Sequence, residues 1–232
     1  MEQSSATNDQ PVVRKHKSLN ANPPRFTPLQ WVAHIAGWAP LVTLAVLLLS
    51  NKLTVNPIQA ATQRTGDVAI IFLLLSLACT PLITLTGWKA LGRVRRPLGL
   101  YAFMYAAIHF TLFAVVDYGL NLELLLPQFL EKRFIWVGLP ALLILSILAI
   151  TSIRAIMKRM GKAWKRLHRL VYLAGVLVIF HYGWALKGDF LRLKGNVGLP
   201  LLAGGILVIF LLLRIPVVRE QIKTWRKQVV SK

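Results

Sequence analysis

The sequence predicts an all-α polytopic membrane protein, a bundle of six transmembrane helices. Three observations predict it. Of the 232 residues 56% are hydrophobic, with a mean hydropathy of +0.58. Only 16% are charged, against about 25% in an ordinary soluble domain. Those charges are segregated between apolar runs long enough to cross a bilayer.

Residues 1–30 are polar, proline-bearing and basic. They lack the short apolar core and small-residue cleavage site of a signal peptide, and read as a disordered cytoplasmic tail in which His16 is solvated. Six spans follow: Trp31–Ser50, Val68–Trp88, Pro97–Tyr118, Phe134–Ile153, Leu170–Leu186 and Gly198–Ile215. Residues 31–215 thus form the transmembrane domain, and 216–232 a basic cytoplasmic tail. The tails and even-numbered loops carry 21 Lys and Arg, the odd-numbered loops seven, which places both termini in the cytoplasm.

The same distribution disposes of nucleic acid as the partner of the +20 net charge. The cations flank spans, so membrane lipid is their neighbour. Cys79 stands alone inside an apolar run, which excludes an intrachain disulfide or a multi-cysteine metal site and predicts a buried, inert thiol. No internal repeat is evident. No glycine-rich phosphate motif occurs in the strand–helix context it requires, and no extramembrane segment is long enough for a nucleotide-binding domain. For redox chemistry the electron donor must therefore arrive as a separate molecule.

The candidate functional residues are histidines in or beside spans: His34, His109, His168 and His181. An ionisable residue within a span marks a functional site by default. His109 and His181 fall at matching depths, roughly 17–18 Å from the inner ends of spans three and five at 1.5 Å rise per residue. Matched depth on two helices is what bis-axial ligation of one haem iron requires. His168 sits at the inner edge of span five, level with Arg95 and Arg96. Arg95 lies fourteen residues before His109, which returns it to within about 40° of the same face and favours it over Arg96. A guanidinium is a poor iron ligand and a good partner for haem propionates or a flavin phosphate, so Arg95, Arg96 and Arg169 are candidate anion holders. Thirteen residues turn His181 about 140° from His168, so sharing one face demands a helix distortion, expected near Gly175. His34 is read as structural or as a donor to a cofactor edge. Trp164, Tyr172, Tyr182 and Trp184 fit an interfacial aromatic belt.

These residues resemble a known family. HIAGWAP from His34, TGDVAIIFLLLSLACTPL from Thr65, RRPLGLYAFMYAAIHF from Arg95, TSIRAIMKRMGKAWKRLHRLVYL from Thr151 and HY at His181 together resemble the MsrQ (YedZ) family. These are haem-binding membrane subunits of the bacterial periplasmic protein-methionine-sulfoxide reductase system, related to the transmembrane domain of ferric reductases. The resemblance implies a ferric reductase-like bundle in the bacterial inner membrane. It implies haem b, one or two, with His109, His168 and His181 as metal ligands, and an FMN with no site assigned. In the wider ferric reductase family span three carries two histidines; here the inner one is replaced by Arg95 or Arg96. The implied function is electron transfer from the quinone pool or a cytosolic flavin reductase to a periplasmic molybdopterin-containing methionine sulfoxide reductase subunit, which holds the sulfoxide site. Lys187, Arg192 and Lys194 against Asp189 form a basic patch suited to steering an acidic face of that partner. The alternatives are a stand-alone ferric or cupric reductase-like cytochrome b, and a haem-free helical transporter or assembly factor.

Overall fold

The computed structural model describes residues 26–186 and 195–230, and among them the regular structure is entirely helical. Most of the predicted N-terminal tail, residues 1–25, and the basic patch of Lys187, Asp189, Arg192 and Lys194 lie outside the described residues. Among the described residues five helices are long and apolar enough to cross a membrane, and a helix pair bent by 76°, Gly198–Leu212 with Pro216–Arg226, passes the same length and hydropathy test only when taken together.

The first helix, α1 (Pro28–Leu49), opens with Pro28 at its first position and the Gln30 side chain accepting from the Thr27 N–H at 3.0 Å. α2 (Pro57–Thr86) begins eleven residues before the expected span. Asn56 caps it by accepting from the Gln59 N–H at 3.0 Å, and Pro57 follows. The expectation missed these turns because Gln59, Gln63, Arg64 and Asp67 dilute their hydropathy. α2 ends on Gly87, whose φ of 77° is a left-handed C-cap that glycine adopts without steric cost. α3 (Leu91–Thr111) starts six residues earlier than expected and carries Pro97 in its interior, then continues through π-helical turns at Leu112–Asp117. A short helix, α4 (Leu122–Glu131), precedes α5 (Arg133–Ile150).

The basic loop after α5 is helical too, as α6 (Arg154–Met160) and α7 (Lys162–Leu167). α8 (Leu170–Ala185) follows after a turn at His168 and Arg169. The helix is interrupted at His168 and Arg169, while α8 runs unbroken through Gly175, where a distortion was expected. Gly175 instead admits the Leu207 and Leu77 side chains. α9 (Gly198–Leu212) bends by 76° into α10 (Pro216–Val230), so the basic C-terminal segment is a helix. Arg226 of α10 donates to the carbonyls of Ile83 and Thr84 at the end of α2; the Ile83 carbonyl also accepts from the Gly87 N–H.

The two largest helix–helix contacts are α2 with α3 and α5 with α8. These two hairpins form the bundle, with α1 against α3 and α9 against α8 and α2. The core is drawn from all of them: Ala33, Phe72, Leu73, Leu77, Leu98, Tyr101, Ala102, Tyr105, Leu145, Ala174 and Leu207 are buried. Cys79 is buried among them as expected. The outer surface is apolar, with Ile35, Leu49, Leu143 and Leu202 exposed, as suits a surface solvated by lipid tails.

Prolines inside spans free carbonyls that the bilayer cannot solvate, and polar side chains reach in to serve the broken ladders. Next to Pro40 in α1, the buried Tyr105 hydroxyl accepts from the Leu41 N–H at 3.0 Å and donates to the Gly37 carbonyl at 2.7 Å, two groups that stand one helical turn apart in the ladder. Pro81 in α2 has no N–H for the Leu77 carbonyl four residues back. Arg214 supplies the donor at 2.6 Å, stacks over Tyr172 at 4.9 Å from its ring centre, and donates to the Tyr172 hydroxyl. Tyr105→Phe is therefore expected to lower stability by about 1–3 kcal/mol, since two buried backbone groups lose their partner. A melting temperature in detergent equal to that of the unaltered chain would show that the ladder closes without the hydroxyl.

Candidate functional site

His109 and His181 meet. Their ring centres are 5.9 Å apart and their planes stand at 86°. His109 comes from the last turn of α3 and His181 from α8, so each hairpin supplies one imidazole. Both rings are held in the same way. His109 Nδ1 lies 2.7 Å from the Thr62 carbonyl oxygen and His181 Nδ1 lies 2.8 Å from that of Phe134. A carbonyl only accepts, so each Nδ1 carries the proton. Each Nε2 is then the unprotonated nitrogen, with its lone pair directed away from the anchoring helix.

The rings border a cavity of about 400 Å³ between α2, α3, α5 and α8. Ile70, Phe110, Leu142, Leu145 and Val178 make its walls apolar, while Gln59, Gln63, Asp67 and Asn196 give it a polar side. Asp67 of α2 and Tyr182 of α8 interact electrostatically beside the two histidines. Among the described residues no group of three or more His, Cys, Asp or Glu is arranged to hold a metal ion. Two imidazoles alone make an axial pair, and the remaining metal positions must come from the bound group, as in a tetrapyrrole. Metal–imidazole bonds of roughly 2 Å on each side, with about one ring radius beyond each, put the centres of two trans imidazoles about 6 Å apart. The observed spacing fits that donor set.

At the opposite, cation-rich end, His168 has a different environment. Its ring packs under Trp164 with centres 4.0 Å apart, Nδ1 lies 3.2 Å from the Trp164 carbonyl, and Nε2 lies 3.4 Å from the Ser152 hydroxyl. Arg96 donates to the Ser152 carbonyl, so it is Arg96 that shares a neighbour with His168. Arg95, favoured by helical geometry alone, donates to the Thr80 hydroxyl at 3.3 Å, and still acts electrostatically on both His168 and Arg214. Arg169 is exposed at the start of α8. His34 bonds the Tyr101 hydroxyl at 2.9 Å through Nδ1 and does not line the cavity. Of the expected aromatic belt, Trp164, Tyr172 and Tyr182 turn out to have specific polar partners.

The family model for the ferric reductase like transmembrane component matches residues 65–179, a stretch that contains His109 and His168. A protein-methionine-sulfoxide reductase heme-binding subunit, MsrQ, from Herminiimonas arsenicoxydans is 39% identical over 199 residues, covering 85% of this chain and 89% of that protein. The chain belongs to the MsrQ family. MsrQ subunits from Rhodospirillum rubrum, 38% identical over 81% of this chain and 88% of that protein, and Deinococcus radiodurans, 40% identical over 71% and 83%, show the same likeness. Ferric reductase-like architecture and MsrQ membership agree with what the sequence segments imply.

Sequence reasoning missed several residues around the MsrQ-like cavity. Asp67 and Tyr182 lay at or beyond the edge of predicted spans and drew no attention as a pair. Gly66 lay just outside predicted span two and Gly138 inside span four, and neither drew attention. Arg214 was counted only as a topology signal, although Pro81 announced an unserved carbonyl that a long donor could reach.

Proposed function

We propose that this chain is the haem-binding, electron-carrying membrane subunit of a protein-methionine-sulfoxide reductase system, with His109 and His181 as the two axial ligands of one b-type haem. One observation carries the reading: two imidazoles from different hairpins, each with Nδ1 tied to a helix carbonyl, face one another across an apolar cavity inside a membrane bundle. The relatives' names, which specify haem binding, support it. Bound there, a haem supplies a one-electron carrier within the hydrocarbon layer. The protein's part is to fix both rings, keep their Nε2 atoms unprotonated and wall the site with side chains that exclude water.

At the cation-rich end, His168, Arg95, Arg96 and Arg169 form the electron-entry side. Arg95 and Arg96 are placed to pair with carboxylate or phosphate groups, the propionates of a haem or the phosphate of FMN. His168, whose Nε2 has only a long contact to Ser152, is the ligand for a second metal centre there. The 21-to-seven cation division supports a bacterial inner-membrane protein with both termini in the cytoplasm. Electrons then enter from the quinone pool or a cytosolic flavin reductase and leave to a periplasmic molybdopterin-containing subunit that reduces the sulfoxide.

A reduced-minus-oxidised spectrum of the purified protein should show a b-type band. His109→Ala and His181→Ala should each bring that haem to background, because both rings serve one iron. If one variant keeps a normal low-spin spectrum while the other loses it, the pairing is wrong. His168→Ala should slow reduction from the cytoplasmic side and leave the outer band in place. Arg95→Leu and Arg96→Leu should each lower cofactor occupancy at the inner site by roughly 10-fold or more, with lysine at either position retaining part of it. Unchanged occupancy and reduction kinetics in both leucine variants would reduce the cluster to a topology signal.

A further inference from the structure

The two histidine anchors are built to one pattern. Each Nδ1–carbonyl bond joins residues 47 apart in sequence. Each accepting carbonyl stands four residues before a glycine, Thr62 before Gly66 and Phe134 before Gly138. In an α-helix the Cα–Cβ bond tilts toward the N-terminus, so a side chain at position i+4 covers the carbonyl at position i. A glycine there uncovers the second lone pair of that carbonyl. The rings lie in the notches so formed. A Cβ on Gly138 would overlap the His181 imidazole, and a Cβ on Gly66 would stand 3.0 Å from His109 Nδ1.

The notches set orientation as well as position. The helices that bear them deliver the two rings at 86° to each other. In a low-spin ferric centre each axial imidazole π system raises the metal dπ orbital that it overlaps. Parallel rings raise the same orbital, split the pair and give a rhombic spectrum. Perpendicular rings raise both orbitals equally and leave them nearly degenerate. Unquenched orbital momentum then yields a highly anisotropic spectrum with one feature at unusually large g. We propose that Gly66 and Gly138 are positioning residues that hold the His109 and His181 ring planes perpendicular, and so confer this highly anisotropic low-spin state. The proposal rests on the haem reading above.

The test is low-temperature electron paramagnetic resonance of the oxidised, haem-loaded full chain, with haem measured separately as its pyridine complex. The unaltered protein should show the large-g feature. Gly138→Ala should lose most of its intensity to a rhombic low-spin or a high-spin signal. Gly66→Ala, where the neighbour need give only a few tenths of an ångström, should shift the feature by less. Gly205→Ala, whose Cβ meets nothing within 4 Å, should leave it in place. A rhombic spectrum from fully loaded unaltered protein overturns the proposal and leaves the haem reading standing. Absence of haem from protein supplied with haem precursor overturns both. A fully loaded Gly138→Ala protein with an unaltered large-g feature shows that the notch does not set the angle. Should that variant fail to accumulate, an unshifted feature in Gly66→Ala decides the same way.

Discussion

Everything near the centre of this protein depends on two imidazole N–H groups donating to helix carbonyls. An imidazole in a span is otherwise free to rotate about two bonds and to exchange tautomers. The bonds to Thr62 and Phe134, at 2.7 and 2.8 Å, remove both freedoms. They fix which nitrogen carries the proton and where the other one lies. Among the described residues no group of three or more His, Cys, Asp or Glu is gathered there to complete a metal site. The precision of the pair is thus a property of helix backbone, the stiffest part of the fold, and not of neighbouring side chains.

The same bond type recurs wherever the bundle would otherwise leave a main-chain group unserved. In water a carbonyl freed by proline is solvated at little cost, but within a bilayer it must be satisfied by the protein. The Tyr105 hydroxyl is threaded into the α1 ladder, Arg214 serves Leu77 behind Pro81, and Arg226 closes the end of α2. These contacts tie α3, the α9–α10 bend and α10 to their neighbours through directional bonds. Between lipid-facing helices such bonds matter because lipid tails are as apolar as leucine, and burial alone distinguishes few arrangements.

What was legible in the sequence follows from this physics. Hydropathy reports the hydrocarbon layer, so the spans of α1, α5 and α8 were readable to within a few residues. Polar first turns that face a cavity look like loop to the same measure, which is why α2 began too late. The depth match of His109 and His181 needed only a constant helical rise, and it held. The angular argument that favoured Arg95 located a position on one helix face and carried no information about partners, and the observed contacts pair Arg96 with Ser152 and Arg95 with Thr80. The glycine notches were invisible for a different reason. Their meaning lies in a contact between helices, and one glycine among many in a membrane span carries no mark of which ring it admits. The repeat was equally hidden, because it is a repeat of backbone geometry carried by only a glycine and a histidine in each hairpin.

That each hairpin contributes one ring has a consequence for assembly. Other ties join the halves, among them α9 against both α8 and α2, and Arg214 between Leu77 and Tyr172, but only at the cavity do the two rings meet. Any group that bonds both imidazoles binds the docked halves and has no equivalent site on the parted ones. By linkage it therefore stabilises the closed bundle by mass action, in proportion to the logarithm of its free concentration over its dissociation constant.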